Sequence, residues 1–177
     1  MNTLYRFWVW IRRIGHCRGF GIQSPNDYWF VRYVINEHWP YYQYKELGHE
    51  DDWLAQKLGR LYFRLANWRQ PYVVVDAGAS PYWQAGCHRA EVKARADAPI
   101  ELMKLCAGQT DCRQRVDEAM TLADSQTVIV IEHLFRNQQL WHDIVADSRV
   151  RVSFDLYYCG ILFFDHKREK RNYIVNF

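Results

Sequence analysis

Hydrophobic residues recur at intervals of three and four along several stretches of the chain, the spacing of one face of a helix. The clearest run predicts a helix over 51–68. Its apolar members are Leu54, Leu58, Leu61, Leu65 and Trp68. Weaker patterns of the same period predict helices over 113–123 and 137–146. Ser24, followed by a proline and then an acid, is a typical helix start and predicts a helix over 25–37.

Continuous apolar runs, in contrast, predict buried strands at 72–75 and 127–131. Two more runs, 150–154 and 161–164, predict an antiparallel hairpin that turns at Gly160. Residues 173–177 form a final β-rich segment. Strands that alternate with helices and end in a hairpin predict an α/β sheet with an antiparallel edge.

The middle of the chain does not follow a regular pattern. Between residues 81 and 110 a doubly wound domain would place two helices and two strands, but about thirty residues suffice for roughly one βαβ unit. We therefore expect at most one additional helix and one short strand there. Residues 90–98 are the helix candidate, and residues 100–106 fit either state.

The whole chain of 177 residues has the length of one domain. Residues 1–70 are expected to form a helical segment packed on an α/β core of residues 71–177, without a linker between them. The chain contains 8 Trp, 12 Tyr and 9 Phe, so much of the core, or one face of the molecule, must consist of aromatic side chains.

The first predicted helix has an apolar stripe beside three arginines, Arg6, Arg12 and Arg13. The stripe consists of Leu4, Phe7, Trp8, Ile11 and Ile14. Two arrangements fit: the stripe faces the domain core or a partner, or it lies flat on a membrane surface with its aromatic rings inserted. It is too short to span a bilayer, which takes about 20 apolar residues. We expect the first arrangement, since such stripes are usually buried.

Charge and cysteine content narrow the function classes. A net charge of +3, from 23 basic and 20 acidic residues, does not favour nucleic acid as a partner. Five cysteines without a Cys-x-x-Cys pair, and no signal peptide before them, predict a reduced, cytoplasmic setting. The pair Cys87-His88, and Cys106 with Cys112, lack the spacing of a closed four-ligand zinc site, so no metal is expected.

Several segments together resemble one known family. They are HCRGFGIQSP at 16–25, the tyrosine pair at 41–42, RLAN at 64–67, VVDAGAS at 74–80 and FDLYYCGILFF at 154–164. In these segments the chain is similar to bacterial class I methyltransferase-like proteins that depend on S-adenosylmethionine, and the resemblance covers residues 12–80 and 126–177. It implies a Rossmann-like sheet with a helical N-terminal extension and an antiparallel C-terminal hairpin. The cofactor would lie over the carboxyl ends of the first strands.

The resemblance also implies a cofactor site after the strand at 72–75. Asp76 and Gly78 match the opening of the family's cofactor motif, and Ala79 and Ser80 continue the loop. The later glycines are replaced by Ser80 and Tyr82, so the segment Pro81-Tyr82-Trp83 is expected to fill the cofactor position. The acid that would bind the ribose is also unassigned. Glu91 and Glu101 are the candidates by default, and the strand that should carry the acid is expected to be missing.

Two further groups are candidate functional residues. Glu132 and His133 end a predicted strand where the family has an acidic pair, so they can act as a base or hold a metal; alternatively they are ordinary polar residues at a strand end. A second group lies in residues 16–25 and forms either a lid or small anion site, or a glycine-hinged joint in which Ser24 caps a helix. It comprises His16, Arg18, Gly19, Gly21 and Ser24.

Two functions follow from this pattern. The first, which we favour, is a shortened methyltransferase-like protein with a degraded S-adenosylmethionine site. It would act as a binding or assembly module, with its aromatic N-terminal half contacting a protein partner or a second copy. The alternative is an active S-adenosylmethionine-dependent methyltransferase on a small-molecule acceptor, with Glu132 or His133 as the base.

Overall fold

Seven strands form one mixed sheet in the computed structural model, which describes residues 2–95 and 99–177. In chain order the strands are β1 (Val73–Val75), β2 (Glu91–Lys93), β3 (Leu102–Cys106), β4 (Val128–Glu132), β5 (Val152–Asp155), β6 (Cys159–Phe163) and β7 (Arg171–Ile174). Across the sheet their order is β2-β1-β3-β4-β6-β5-β7. The protein is therefore an α/β protein, as the alternating pattern predicts.

The reversed strand lies inside the sheet. Strands β1 to β4 run parallel, β6 pairs antiparallel with both β4 and β5, and β7 pairs parallel with β5. The predicted hairpin exists, but the expectations of an antiparallel edge and of a turn at Gly160 are wrong. Gly160 lies within β6, where a Cβ atom would clash with the ring of Trp141. The glycine is thus explained by close packing.

Seven α-helices surround this sheet among the described residues. They are α1 (Thr3–Arg12), α2 (Pro25–Phe30), α3 (Gln43–Glu46), α4 (Trp53–Arg69), α5 (Pro81–Gly86), α6 (Cys112–Leu122) and α7 (Gln138–Ala146). The helices predicted at 51–68, 113–123 and 137–146 are confirmed. The helix predicted at 25–37 is α2 continued by a π-helical turn, Val31–Ile35, and Ser24 Oγ accepts a hydrogen bond from the backbone N–H of Asp27 at 3.4 Å.

The middle of the chain contains more structure than expected. One helix, α5, and two strands, β2 and β3, follow β1, so the limit of one strand is wrong. Strand β2 is the strand after the cofactor-like loop that was expected to be missing. It replaces the start of the helix proposed at 90–98, of which residues 96–98 lie outside the described part of the chain. At three residues, β2 is too short for its periodicity to be recognised in the sequence.

Two hydrophobic cores lie on the two faces of the sheet. Because side chains alternate along a strand, Val74 and Val130 face the core that includes α4, whereas Val75 and Ile129 face the core that includes α6 and α7. Helix α4 packs closely on α5, and the rings of the two helices meet in the first core. The carboxyl ends of the parallel strands emerge beside these two helices.

Helix α1 is oriented against expectation. Its apolar stripe faces outward: Val9 is its one buried residue, whereas Leu4, Phe7, Trp8 and Ile11 are 44–75% exposed. The side that contacts the protein instead carries Arg6, and Arg13 follows at the C-cap of the helix. Arg6 stacks over the ring of Trp53 at 3.9 Å. Arg13 donates to the carboxylate of Asp155 at 2.8 Å. Of the expected positions, the domain core is wrong for this stripe, because the stripe is exposed and the inner surface contacts Arg6 and Arg13 instead. The alternative that it faces a partner stays a prediction.

No helix in the described ranges 2–95 and 99–177 is both long enough and apolar enough to cross a membrane.

Candidate functional site

Three charged side chains converge at the carboxyl ends of the parallel strands. Asp76 follows β1, Lys104 lies in β3, and Glu132 ends β4. The Nζ atom of Lys104 is 3.1 Å from Oδ1 of Asp76 and 3.7 Å from Oε1 of Glu132. One lysine therefore bridges the two carboxylates that the sequence marks as a cofactor ligand and a base.

The carboxylate of Asp76 is fully occupied by partners within the protein. It accepts hydrogen bonds from the backbone N–H of Gly78 at 2.8 Å, from that of Ser80 at 3.1 Å and from the indole N–H of Trp83 at 2.8 Å. With Lys104 this makes four donors for a group that has about four acceptor positions. Asp76 is 1% exposed. No acceptor position of this carboxylate is left for the ammonium group of a bound amino acid.

The segment after the loop is part of the core. Trp83 is fully buried and stacks on the ring of Tyr62, with ring centroids 4.5 Å apart. Tyr82 is also buried and lies against Gly59 of α4, where a Cβ atom would clash with its ring. These rings join α5 to α4 in the core, which accounts for the aromatic side chains at positions 82 and 83.

Neither default candidate for the ribose acid reaches this edge of the sheet. Glu91 begins β2 rather than ending it, and β2 ends at Lys93. The carboxylate of Glu101 accepts from the backbone N–H groups of Tyr72 and Val73, at the amino end of β1. Neither residue therefore fills the unassigned position, because Glu91 lies at the amino end of β2 and Glu101 is bonded to the amino end of β1.

Glu132 and His133 meet a third residue that sequence reasoning missed. Cys106 ends β3 and pairs in register with Glu132 at the end of β4. The Sγ atom of Cys106 is 3.3 Å from Nδ1 of His133, and Oε2 of Glu132 is 4.0 Å from the same nitrogen. His133 adopts a left-handed backbone conformation, with φ at 59°, and its N–H donates to the carbonyl of Tyr158 at 2.6 Å.

The surroundings of this cluster set its protonation. Burial lowers the pKa of His133, Glu132 opposes that shift, and the charges of Arg136 and Lys104 add to it. The imidazole is therefore neutral at pH 7. Burial, followed by the charge of Glu132, raises the pKa of Tyr62 far above its usual value, so the phenol stays protonated. Its O–H group donates a hydrogen bond to Oε1 of Glu132.

A cleft of about 550 Å³ opens beside Glu132. It is lined mainly by α4, α5 and the chain before α4, including His49, Asp51, Gly59, Tyr62 and Lys104. Its volume is within the range of small-molecule sites. The cleft gives a polar molecule access to the Glu132 side of the cluster.

The five residues proposed as a lid or anion site have separate roles. Gly19 and Gly21 have φ angles of 79° and 83°, which glycine adopts without strain. Ser24 caps α2, and the carbonyl of His16 accepts from the backbone N–H of Asn176 at 3.0 Å. Arg18 alone of the five lines a large cavity beneath α1. The glycines and Ser24 thus shape a joint, while Arg18 belongs to a basic pocket.

This basic pocket has a volume of about 660 Å³ and lies between α1 and α4. Arg6, Arg18 and Lys57 line it together with aromatic rings, and no aspartate or glutamate is among the described lining residues. The Nε atom of Arg6 and the Nδ2 atom of Asn36 are buried without a hydrogen-bond partner. Burial, with the neighbouring charge of Arg64, lowers the pKa of Lys57 to about 8. Such a pocket suits an anionic group.

Known proteins provide no relative on which to base a function. The features that bear on function are the Asp76 carboxylate, the Cys106–Glu132–His133 cluster and the exposed face of α1. No family model, no curated protein and no solved structure matches this chain.

Proposed function

We propose that this protein is a methyltransferase-like scaffold that no longer uses S-adenosylmethionine and that docks on negatively charged membrane surfaces through α1. The observation that carries the proposal is the outward direction of the apolar face of α1. Leu4 is 75% exposed, Phe7 59% and Trp8 49%, on a helix whose inner side contacts the protein through Arg6.

The scaffold part rests on topology and on the loop after β1. Four parallel strands followed by a reversed strand are compatible with a Rossmann-like sheet, and the loop keeps the family's Asp76 and Gly78. In the family this aspartate is expected to meet the methionine part of the cofactor. Here its acceptor positions are taken by Gly78, Ser80, Trp83 and Lys104. Cofactor binding would have to break this network, which supports loss of that function.

The charge of the N-terminal segment selects the docking partner. Residues 1–26 contain four arginines and neither aspartate nor glutamate. Arg12 is exposed beside the apolar face, and its guanidinium lies 4.6 Å above the ring of Trp8. Arg18 is also exposed and lines the basic pocket. Tryptophan and arginine side chains are the usual anchors at a lipid headgroup layer. Each basic residue near an anionic bilayer contributes about 1 kcal/mol to binding.

The same charges disfavour a second copy of the chain as the occupant. A symmetric dimer places identical patches against each other, so its Arg12 and Arg18 side chains would approach those of the other copy. A bilayer with anionic lipid instead offers opposite charge and an apolar interior to a convex helix. The basic pocket beneath α1 adds a place for a headgroup phosphate, because its described lining contains Arg6, Arg18 and Lys57 but no aspartate or glutamate side chain.

Vesicle co-sedimentation tests the docking proposal. We expect the protein to bind vesicles that contain phosphatidylglycerol, to bind pure phosphatidylcholine weakly, and to dissociate as salt is raised. The double variant Phe7→Ser/Ile11→Ser should bind at least about tenfold more weakly, because two inserted side chains are lost. The matched control is Tyr72→Ser/Leu122→Ser, which removes two exposed side chains next to β1 and at the end of α6 and should bind normally.

Three outcomes would overturn the docking proposal. The first is equal binding to both lipid compositions, and the second is an equal loss of binding in both double variants. The third is a protein that does not bind vesicles and forms a dimer that Phe7→Ser/Ile11→Ser dissociates in sedimentation equilibrium. The third result would assign the face to a second copy.

The second candidate, an active methyltransferase, is favoured by the cleft of about 550 Å³ beside Glu132 and by the neutral imidazole of His133. Calorimetric titration with S-adenosylmethionine and S-adenosylhomocysteine separates the two functions. We expect no heat and no change in melting temperature at millimolar ligand. Saturable binding with a rise in melting temperature would reinstate the enzyme, because a ligand bound to the folded state stabilises it.

A further inference from the structure

We propose that Cys106, Glu132 and His133 form a zinc site with one open coordination position. The site is independent of the docking function, since it lies at the carboxyl ends of β3 and β4 and uses no residue of α1. In the sequence, Cys87-His88 and Cys106 with Cys112 lack the spacing of a closed zinc site, whereas Glu132 and His133 are a candidate pair that can act as a base or hold a metal. The fold brings Cys106 next to this pair.

The spacing of the three ligand atoms fits one small ion. Sγ of Cys106, a carboxylate oxygen of Glu132 and a ring nitrogen of His133 all lie within 4.8 Å of one another. Bonds of about 2.3 Å to sulfur and about 2.0–2.2 Å to nitrogen and oxygen around a tetrahedral ion separate such atoms by roughly 3.4–3.6 Å. The observed 3.3 Å from Sγ to Nδ1 and 4.0 Å from Oε2 to Nδ1 require only small side-chain movements.

Glu132 presents a free oxygen to this position. Its Oε1 atom accepts from the phenol of Tyr62 and lies 3.7 Å from Nζ of Lys104. These contacts orient the carboxylate in the manner of outer-shell partners around metal ligands. The remaining oxygen, Oε2, is the one nearer His133. The charge of Lys104 is offset by Asp76, 3.1 Å away, which reduces its repulsion of a cation.

The donor set selects the metal. A thiolate with an imidazole favours zinc over magnesium or calcium, which prefer oxygen ligands. Binding follows Cys–SH + Zn²⁺ → Cys–S–Zn⁺ + H⁺, so one proton leaves the thiol and the oxidation state of sulfur does not change. Three protein ligands leave a fourth position for water, which is the arrangement of catalytic zinc sites. Glu132 also lines the cleft of about 550 Å³, so this cleft reaches the Glu132 side of the site.

Titration of the metal-free protein with Co²⁺ and Zn²⁺ tests the site. We expect one equivalent of Co²⁺ to produce a near-ultraviolet thiolate-to-cobalt charge-transfer band, which Zn²⁺ then abolishes. Cys106→Ser should remove the band, and Glu132→Gln and His133→Ala should each weaken zinc binding by at least about tenfold. Cys17→Ser is the matched control, because Cys17 is also a partly buried free cysteine and lies far from the cluster in the sequence.

Alkylation of the full chain by iodoacetamide gives a second measurement that does not depend on a variant folding. Zinc should protect Cys106 from labelling in the unmodified protein, while labelling of Cys17 should be unaffected. The proposal is overturned if Co²⁺ gives no thiolate band with the unmodified protein, or if Cys106→Ser retains that band. It is equally overturned if Cys106 is alkylated at the same rate with and without zinc, as expected of a metal-free cysteine–histidine pair.

Discussion

The loop after β1 and helix α1 exchange the roles that their sequences suggest. The loop contains an acid, a glycine and a serine, the composition of a ligand site, yet its Asp76 is 1% exposed and bonded entirely within the protein. Helix α1 contains an apolar stripe, the composition of a core helix, yet Leu4 and Phe7 are mostly exposed. The polar loop is bonded within the protein, and the apolar face of the helix is exposed to solvent.

The two regions differ in how many of their groups remain free to bind a partner. A polar residue offers binding capacity only if some of its donors or acceptors lack partners, and an apolar residue only if its surface contacts water. By this criterion Asp76 offers nothing, whereas Oε2 of Glu132, Nε of Arg6 and the outer face of α1 do. Both proposals above rest on such unpartnered groups.

The largest expected effect breaks the closed network. We expect Asp76→Ala to lower the free energy of unfolding by about 3–5 kcal/mol, because it leaves a lysine, an indole N–H and two backbone N–H groups without their acceptor. Urea denaturation followed by tryptophan fluorescence measures the change. Asp143→Ala, at an exposed position of α7, is the control and should stay within about 0.5 kcal/mol.

A small effect of Asp76→Ala on the free energy of unfolding, similar to that of Asp143→Ala, would contradict the interpretation that the bonds of Asp76 stabilise the fold. It would mean that the carboxylate is held in place without contributing to the fold, as expected of a group kept for a ligand. In that case the calorimetric test of S-adenosylmethionine would regain priority.

Sequence periodicity was sufficient for the long elements. Helix α4 repeats its apolar spacing over about four turns, and β4 is a nearly continuous apolar run, so each could be assigned without knowing its neighbours. Strand β2 could not, because three residues with no apolar run have no period and are strand only through pairing with β1. The reversal of β6 within the sheet likewise depends on long-range pairing rather than local sequence.

The candidate site was predictable only in part. Glu132 and His133 follow a recognisable strand, but Cys106 belongs to a segment that fits either state until β3 pairs with β4. Assigning residues 100–106 as a strand would have placed Cys106 and Glu132 at the same edge of the sheet. The ion pair between Lys104 and Asp76 could not be predicted from the sequence. Nothing in the residues around Lys104 indicates that β3 places it beside the loop after β1.

Lys57, in the basic pocket beneath α1, is expected to have a smaller effect on stability than Asp76. The pKa of Lys57 is about 8 in the folded protein, compared with 10.5 for an ordinary lysine. Below pH 8 both states carry the charge, so the folded state bears its full desolvation cost. As the pH rises from 8 to 10.5 the folded state releases the proton first, and stability increases. Lys57→Met should therefore stabilise the protein at pH 7, by at most about 3 kcal/mol, and should remove this increase.

Urea denaturation at pH 7, 8.5 and 10 measures this difference between the two proteins. Lys167→Met, at an exposed lysine, is the control and should change neither the stability nor its dependence on pH. Parallel pH profiles for the unmodified protein and Lys57→Met would show that Lys57 titrates normally. The pocket would then hold no unbalanced charge to attract an anion.

The smallest expected effect concerns the two sides of α1. Ile11→Gln changes a side chain that is 44% exposed, so the free energy of unfolding should move by no more than about 0.5 kcal/mol. Val9→Ala, on the buried side of the same helix, should lower it by about 1 kcal/mol, because buried methyl groups are lost. Thermal or urea unfolding at several protein concentrations measures both. If Ile11→Gln destabilises as much as Val9→Ala, and more so at high concentration, the outer face of α1 is covered in solution by another copy. The outer face of α1 would then be buried against protein rather than available to a membrane.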